Sequence, residues 1–516
     1  MNEQAQNSSE PPGSGRPLNT QPNSSSSIGS HIGSDGNLHR GLKPRHIQLI
    51  ALGGIIGSCY FLGTGAVVSS IGPAACLAYV FGGLIIYLTM LCMGELAVAI
   101  PTSGSFVNYA SDFISPSFAC GVGWSYWINW IAYIPAECLA AGIIMHAFTG
   151  VSSYLWAVAF GLLITFINLS HVKIFGEIEF WLAIVKISAL FGFTFLSIFI
   201  FFGLIHGDQP SHIIGAHYLY DNKGLFPNGW TAFLTGMVLL LVNYQGSEII
   251  GLAAGESQNP MQTIPRAIKT VTLRILLIYI IPVFFLVVIF PWQKAGLSQS
   301  VFADALSFYG LKWAGIVISF VTVSAAISCS NSGFYGTVRA MLALSRKGMA
   351  PKALSKLNRH YMPQRAVFLT LFGVWGILLT SYFFGDTSLY LALLLVSGFT
   401  GTLCWIGLCW AQINFRRRLI SRGYSIKDLK YKTPGSPYTG ILAIVLMLAC
   451  LLFLFFAPDP TYKIAFGIGS TSLILPIIVY KLFSRFKPHW IKPLQAPGEK
   501  PFIGFDVLFP PKDPQK

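Results

Sequence analysis

Twelve apolar runs, roughly at 46–70, 74–99, 119–148, 152–169, 180–205, 230–255, 270–290, 313–344, 366–384, 389–412, 438–456 and 462–482, dominate this chain. Each is near the ~20 residues that a helix needs to cross a bilayer core of about 30 Å. In lipid every backbone N–H and C=O must find a partner within the protein, so such runs can only be helices. The bulk numbers agree, with 53% hydrophobic residues, 10% charged residues and a mean hydropathy of +0.62. That composition excludes a soluble globule. An all-α integral membrane fold of 12 helices is therefore expected, bounded by a tail at 1–45 whose Ser, Asn, Gly and Pro cannot bury enough surface to fold.

The net charge of +15 would suit a nucleic-acid binder, but its distribution argues otherwise. With the N-terminus inside, 27 of the 34 Lys and Arg fall on the cytoplasmic side, and only Lys223, Lys294, Lys312 and Lys463 fall outside. This is the positive-inside asymmetry of a multi-pass protein of the cell (inner or plasma) membrane with both termini cytoplasmic. Arg416, Arg417, Arg418 and Arg422 are expected to act as topological anchors, with contact to anionic lipid heads as the alternative. No cleavable signal precedes the first run. The nine cysteines sit in apolar segments without a C-x-x-C pair, so neither metal nor cofactor is expected.

Within the first run, Gly53, Gly54 and Gly57 interrupt ALGGIIGSCYFLGTG at mid-depth. Each glycine costs a helix about 1 kcal/mol relative to alanine. A break there survives only beside a cavity or against protein. The sixth run contains a second interruption, Val242-Asn-Tyr-Gln-Gly-Ser-Glu248, five helices later. Two broken helices in register are the pattern of inverted repeats, here 46–205 and 230–412, with helices 11–12 at 438–482 appended and a cytoplasmic tail at 483–516. Small-residue packing could explain one break more easily than a registered pair.

The stretch from Val242 through Gly255-Glu-Ser-Gln-Asn-Pro260 and Ile264-Pro-Arg266 to Arg274 resembles spans six and seven of the amino acid transporter (amino acid permease) family of the amino acid, polyamine and organocation superfamily. Gly94-Glu-Leu-Ala-Val-Ala99, Pro101-Thr-Ser-Gly-Ser-Phe106, Pro135-Ala-Glu137, Glu179-Phe-Trp181 and Asn331-Ser-Gly-Phe-Tyr335 extend the likeness over about residues 40–485. The chain resembles bacterial lysine-type and neutral amino acid permeases. The resemblance implies the LeuT-like 5+5 inverted repeat with discontinuous helices 1 and 6, and symport of an amino acid, usually with protons. It also implies that a lysine at position 186 stands where sodium-coupled relatives bind their ion. Cys59 and Tyr60 depart from the family, where glycine and an aliphatic residue are usual.

An amino acid zwitterion needs donors for its carboxylate and acceptors for its ammonium, and a broken helix offers both. The carboxylate is assigned to N–H groups of Gly57, Ser58 and Cys59 with the Ser58 hydroxyl, and the ammonium to carbonyls near Val242, Asn243 and Gln245. Tyr244 is a candidate lid. Ionisable residues inside spans are functional candidates. Lys186 is expected to carry the coupling proton, with snorkelling to the interface as the alternative. Glu137 is left with three roles: pairing a cationic substrate side chain, balancing a buried charge, or bonding the helix backbone as an acid. Glu248 reads as a gating or network acid, whereas Glu95 and Glu256 read as structural.

The chain is thus read as a secondary active amino acid importer and not an enzyme, since no cluster of His, Asp or Cys marks a reaction centre. Its expected partners are the amino acid, protons and the bilayer. A sodium-coupled or exchange-type amino acid or polyamine carrier, or a permease-like nutrient sensor, remains the alternative.

Overall fold

A computed structural model describes residues 56–102, 104–169, 173–207, 216–220, 224–253, 260–297, 299–358, 362–486 and 505–511. The expected N-terminal tail, Gly53, Gly54, His171, Lys223 and Glu256 lie outside the described residues. The described chain is helical throughout and contains no strand. A π turn, Cys59–Gly63, leads into α1 (Thr64–Ile71), followed by α2 (Ala75–Ala99), α3 (Ser105–Phe113), α4 (Pro116–Thr149), α5 (Ser153–Leu169) and α6 (Lys173–Phe201). After the short α7 (His217–Tyr220) come α8 (Gly229–Leu241), α9 (Ile249–Ala253), α10 (Pro260–Arg274), a π turn at Ile275–Ile280, α11 (Ile281–Ile289), α12 (Val301–Phe308) and α13 (Lys312–Arg346). The remainder is α14 (Gln364–Thr380), α15 (Asp386–Ser421), α16 (Tyr438–Phe453), α17 (Pro460–Phe486) and α18 (Phe505–Leu508).

Among the described residues, nine helical segments are long and apolar enough to cross a membrane, and three shorter apolar helices, Cys59–Ile71, Ser153–Leu169 and Gln364–Thr380, accompany them. Burial sorts them into layers. The most apolar windows of Gly229–Leu252 and of α15 are 94% and 83% buried, whereas that of α17 is 11% buried. Inner helices are enclosed by protein, and outer ones expose large apolar side chains such as Phe166, Phe195, Phe372 and Ile474. An apolar exterior of that extent belongs in lipid.

Helix α4 is the central pillar and packs on α15, α13, α5 and α17. Its sequence sets its ends. Ser115 accepts the Phe118 N–H at 3.2 Å, Pro116 occupies the first turn, and Gly150 closes the helix with φ of +69°. Pro135 lies inside it and has no N–H to offer the carbonyl four residues earlier, which loosens the helix just before Glu137.

The last turn of α2 meets α15 through a buried ion pair. Glu95 accepts from Arg416 Nε at 2.7 Å and Nη2 at 2.5 Å, from Gln412 Nε2 at 2.9 Å and from the Thr433 N–H at 2.5 Å. Arg416 also donates to the carbonyls of Thr433 and Ser436. The guanidinium of Arg416 is turned inward onto a carboxylate, which argues against the alternative of contact with anionic lipid heads for this residue. Glu95 is structural as expected, although its partner lies 321 residues away. Arg416→Met should destabilise the protein by about 3 to 5 kcal/mol by stranding Glu95, and the Glu95→Met/Arg416→Met double variant should recover much of that loss. Equilibrium unfolding in mixed micelles measures both.

Candidate functional site

The described chain begins at the place of the expected first break: Ile56 and Gly57 are not helical, and regular α-helix begins only at Thr64. Both sides of this break are held by charged side chains. Lys186 Nζ donates to the Ile56 carbonyl at 3.2 Å and to Ser328 Oγ at 2.7 Å. Glu137 Oε2 accepts the Ser58 N–H at 2.9 Å. A cation thus meets the free carbonyl and an anion the free N–H, the arrangement that the partial charges of helix ends favour.

Glycine at 57 is required by this approach. A Cβ there would collide with Glu137 Oε1 and come within 2.9 Å of Tyr133 Oη and 3.0 Å of Cys329 Sγ. Lys186 is fully buried, so it does not snorkel to an interface. Its ammonium lies 3.9 Å from Glu179 Oε1, and the Ser328 hydroxyl donates to that same oxygen. Lys186, Glu179, Ser328 and the Ile56 carbonyl form one connected group.

The second break begins where α8 tightens into a 3-10 turn, Val242–Tyr244. Gln245 is extended with φ −64° and ψ 154°, Gly246 takes φ of +91°, and α-helix resumes at Ile249. That φ is strained for any residue with a Cβ, which accounts for Gly246. Glu248 accepts the Gly246 N–H at 3.1 and 3.2 Å from its two oxygens, Trp405 Nε1–H at 3.1 Å and the Tyr126 hydroxyl at 3.3 Å. It therefore fastens the break to α4 and α15. The Val242 carbonyl accepts the Gln245 N–H at 3.0 Å, and the Gln245 amide donates to the Ser397 carbonyl at 2.8 Å.

A hydrogen-bonded relay joins the two breaks. Asn243 Nδ2 donates to Tyr79 Oη at 2.7 Å, Tyr79 Oη stands 2.6 Å from Thr64 Oγ1, and Thr64 donates to the Tyr60 carbonyl at 2.5 Å. Since Thr64 spends its proton on Tyr60, the Tyr79 proton points to Thr64, and the relay has one direction. Tyr244 donates to the Tyr79 carbonyl at 2.8 Å, and Tyr60 donates to the Ile278 carbonyl at 2.7 Å inside the second π turn. The rings of Tyr60, Tyr79, Tyr244 and Tyr279 pack edge to face or tilted beside this relay.

Ser58 Oγ, Glu137 Oε1, Asn243 Oδ1, Tyr279 Oη and Tyr390 Oη are buried without a hydrogen-bond partner. Polar atoms left so cost about 1 to 3 kcal/mol each, which makes them candidates for ligand contact. Cys59 is buried at the start of the first π turn. No group of three or more His, Cys, Asp or Glu that could hold a metal ion occurs among the described residues.

The structure brings Gly57, Ser58, Cys59, Glu137 and Lys186 to the first break and Val242, Asn243, Tyr244, Gln245 and Glu248 to the second. It also adds Glu179, Tyr79, Tyr390, Ser328 and Trp405. Of these only Glu179 carried a readable signal, since it lies seven residues before Lys186 and hence on the same helical face.

Against known proteins, the sequence profile of the amino acid permease family matches residues 46–493. The amino-acid permease RocE of Bacillus subtilis is 38% identical over 448 residues, covering 86% of this chain and 94% of that one. The lysine-specific permease LysP of Escherichia coli is 34% identical, covering 80% and 86%. The gamma-aminobutyric acid permease of Bacillus subtilis is 32% identical, covering 82% and 89%. Among solved structures, a manganese transporter of Eremococcus coleocola superposes with a TM-score of 0.54 at 14% identity, covering 88% of this chain and 99% of that one. That likeness concerns the fold alone.

The packing at Gly57 can be tested without any ligand. Gly57→Ala should cost about 1 to 3 kcal/mol by overpacking against Glu137. Gly57→Ala/Glu137→Ala should cost less than the sum of its parts, and thermal unfolding in detergent reads the difference.

Proposed function

The chain belongs to the amino acid permease family, and we propose that it is a secondary active transporter that imports an amino acid through the plasma membrane with protons. The nine long spans and three shorter apolar helices are read as twelve crossings, arranged as a LeuT-like 5+5 inverted repeat. The repeats run over 46–205 and 230–412, with 438–482 appended and both termini cytoplasmic. The two interrupted stretches stand in equivalent places, as helices 1 and 6.

One observation carries the reading of the site: the carbonyl and N–H groups freed at the first break are held by Lys186 and Glu137, charged residues of other helices. The seat assigned to the substrate carboxylate, the Ser58 N–H, is the one on which Glu137 rests. An arriving carboxylate would share it with Glu137 only if that residue moved or took up a proton, because two buried anions repel. The Ser58 and Tyr390 hydroxyls would complete the seat. Asn243 Oδ1 and carbonyls of the second break would receive the ammonium, and Tyr244 and Tyr279 would line the side-chain space.

Lys186 is read as the proton carrier. While charged it donates to the Ile56 carbonyl and to Ser328 and attracts the Glu179 carboxylate 3.9 Å away. On losing its proton it would keep fewer donors for Ile56, and the first helix could slide relative to α6. Lys186→Met should abolish accumulation driven by a pH gradient in proteoliposomes, with substrate binding retained. Wild-type uptake that requires sodium and ignores pH would overturn proton coupling.

Glu137 bonded to the backbone supports shared machinery and not recognition of a cationic side chain. The molecules for which two relatives are named, lysine and gamma-aminobutyric acid, carry their amines at different distances from the carboxylate and share only the carboxylate end, which fits a common carboxylate seat. Glu137→Gln is therefore expected to change transport of every accepted amino acid alike, because the bond it alters is to the Ser58 backbone and not to a substrate side chain. Selective loss of lysine and arginine uptake would instead assign Glu137 to the substrate side chain. Radiolabelled uptake of each amino acid is the measurement.

A further inference from the structure

Beyond the transport site, a segment near the C-terminus is built into the end of the helix bundle. Phe505 is 2% exposed and joins a cluster made by Leu96 and Ile100 at the end of α2, Tyr109 and Phe113 of α3, and Ala411, Phe415 and Leu419 of α15. Its ring centroid lies 5.3 Å from that of Phe113 and 5.8 Å from that of Phe415, both edge to face. The guanidinium groups of Arg418 and Arg422 stand over the same ring at 4.9 and 4.7 Å. Phe505 is thus enclosed on its apolar sides and capped by cations.

Polar contacts set the orientation of this short helix. Asp506 accepts from Arg418 Nη2 at 2.7 Å and also from Arg422. Arg422 Nη1 donates to the Phe509 carbonyl at 2.7 Å, and Phe509 packs on Phe505 and Tyr424. Arg418 reaches the other way as well, to the Asp112 carbonyl at the end of α3 at 3.0 Å. The residues it joins belong to both halves: α2 and α3 to the first, α15 to the second.

We propose that Phe505–Phe509 is a strap that clamps the cytoplasmic seam between α2, α3 and α15 and must release before this face opens. The strap rests on the transport reading above only for its consequence, the control of opening. Helices of the two halves must part on the cytoplasmic side for a substrate to leave, and a phenyl ring wedged across their seam opposes that. Apolar burial gives the strap its hold, and the exposed Asp506 pairs trim it, since surface ion pairs contribute little and weaken with salt.

Cys92 and Cys409 provide a readout independent of transport. Both are fully buried, and they lie one turn inside the strap on α2 and α15, with Cys409 Sγ 3.8 Å from Thr89 Oγ1. In the full-length protein in proteoliposomes, Phe505→Ala should raise their maleimide labelling rate by about tenfold or more, because truncating a buried phenyl shifts such an equilibrium strongly. Asp506→Arg, which touches no core, should raise it by up to about fivefold. Cys76, at the opposite end of α2, should label at an unchanged rate in all variants. Unchanged labelling of Cys92 and Cys409 in both single variants overturns the strap, even if the wild type transports. Faster labelling in a protein that takes up no amino acid would preserve the strap and overturn the transport reading.

Discussion

Buried backbone groups away from water must be satisfied by the protein itself, and at Ile56 and Ser58 two charged side chains do so. Lys186 on the Ile56 carbonyl and Glu137 on the Ser58 N–H satisfy backbone groups that lie ahead of the regular helix beginning at Thr64. The local sequence follows from that constraint. Glycine at 57 admits the carboxylate, Pro135 loosens α4 next to it, and Ser328 with Glu179 balances the ammonium. An uncompensated charge at either place would cost several kcal/mol. The break and its ions therefore stand or fall together.

The second break is built differently. Glu248 lies within the break and folds back on the Gly246 N–H, so this half is pinned by its own acid to Trp405 and Tyr126. Its link to the first break is the relay from Asn243 through Tyr79 and Thr64 to the Tyr60 carbonyl. Displacing one break by an ångström would break bonds of the relay. Two segments joined in this way are suited to moving as a pair.

Much of the fold was legible because its signals are local. Apolar runs of membrane length, glycines in mid-run and lone ionisable residues such as Lys186 and Glu137 can be read without knowing what packs against them. The partners were not legible. Ser58 and Glu137 are separated by 79 residues, Asn243 and Tyr79 by 164, and Arg416 and Glu95 by 321. Tyr79 and Tyr390 resemble any aromatic residue of an apolar run until the neighbouring helix is in place. Arg416 looked like its neighbours in a basic loop, yet it lies on the inward face of α15 while Arg418 turns toward Asp506. A helix of four residues such as Phe505–Leu508 is too short to leave a periodic trace.

In the proposed transporter the Ser58 N–H is a carboxylate seat that Glu137 keeps until substrate arrives. A structure determined with a transported amino acid bound tests it most directly. The expected result is the substrate carboxylate within hydrogen-bond distance of the Ser58 N–H and hydroxyl, with Glu137 withdrawn from the backbone and the ammonium turned toward the second break. A bound amino acid located elsewhere, with Glu137 still on the Ser58 N–H, would contradict it.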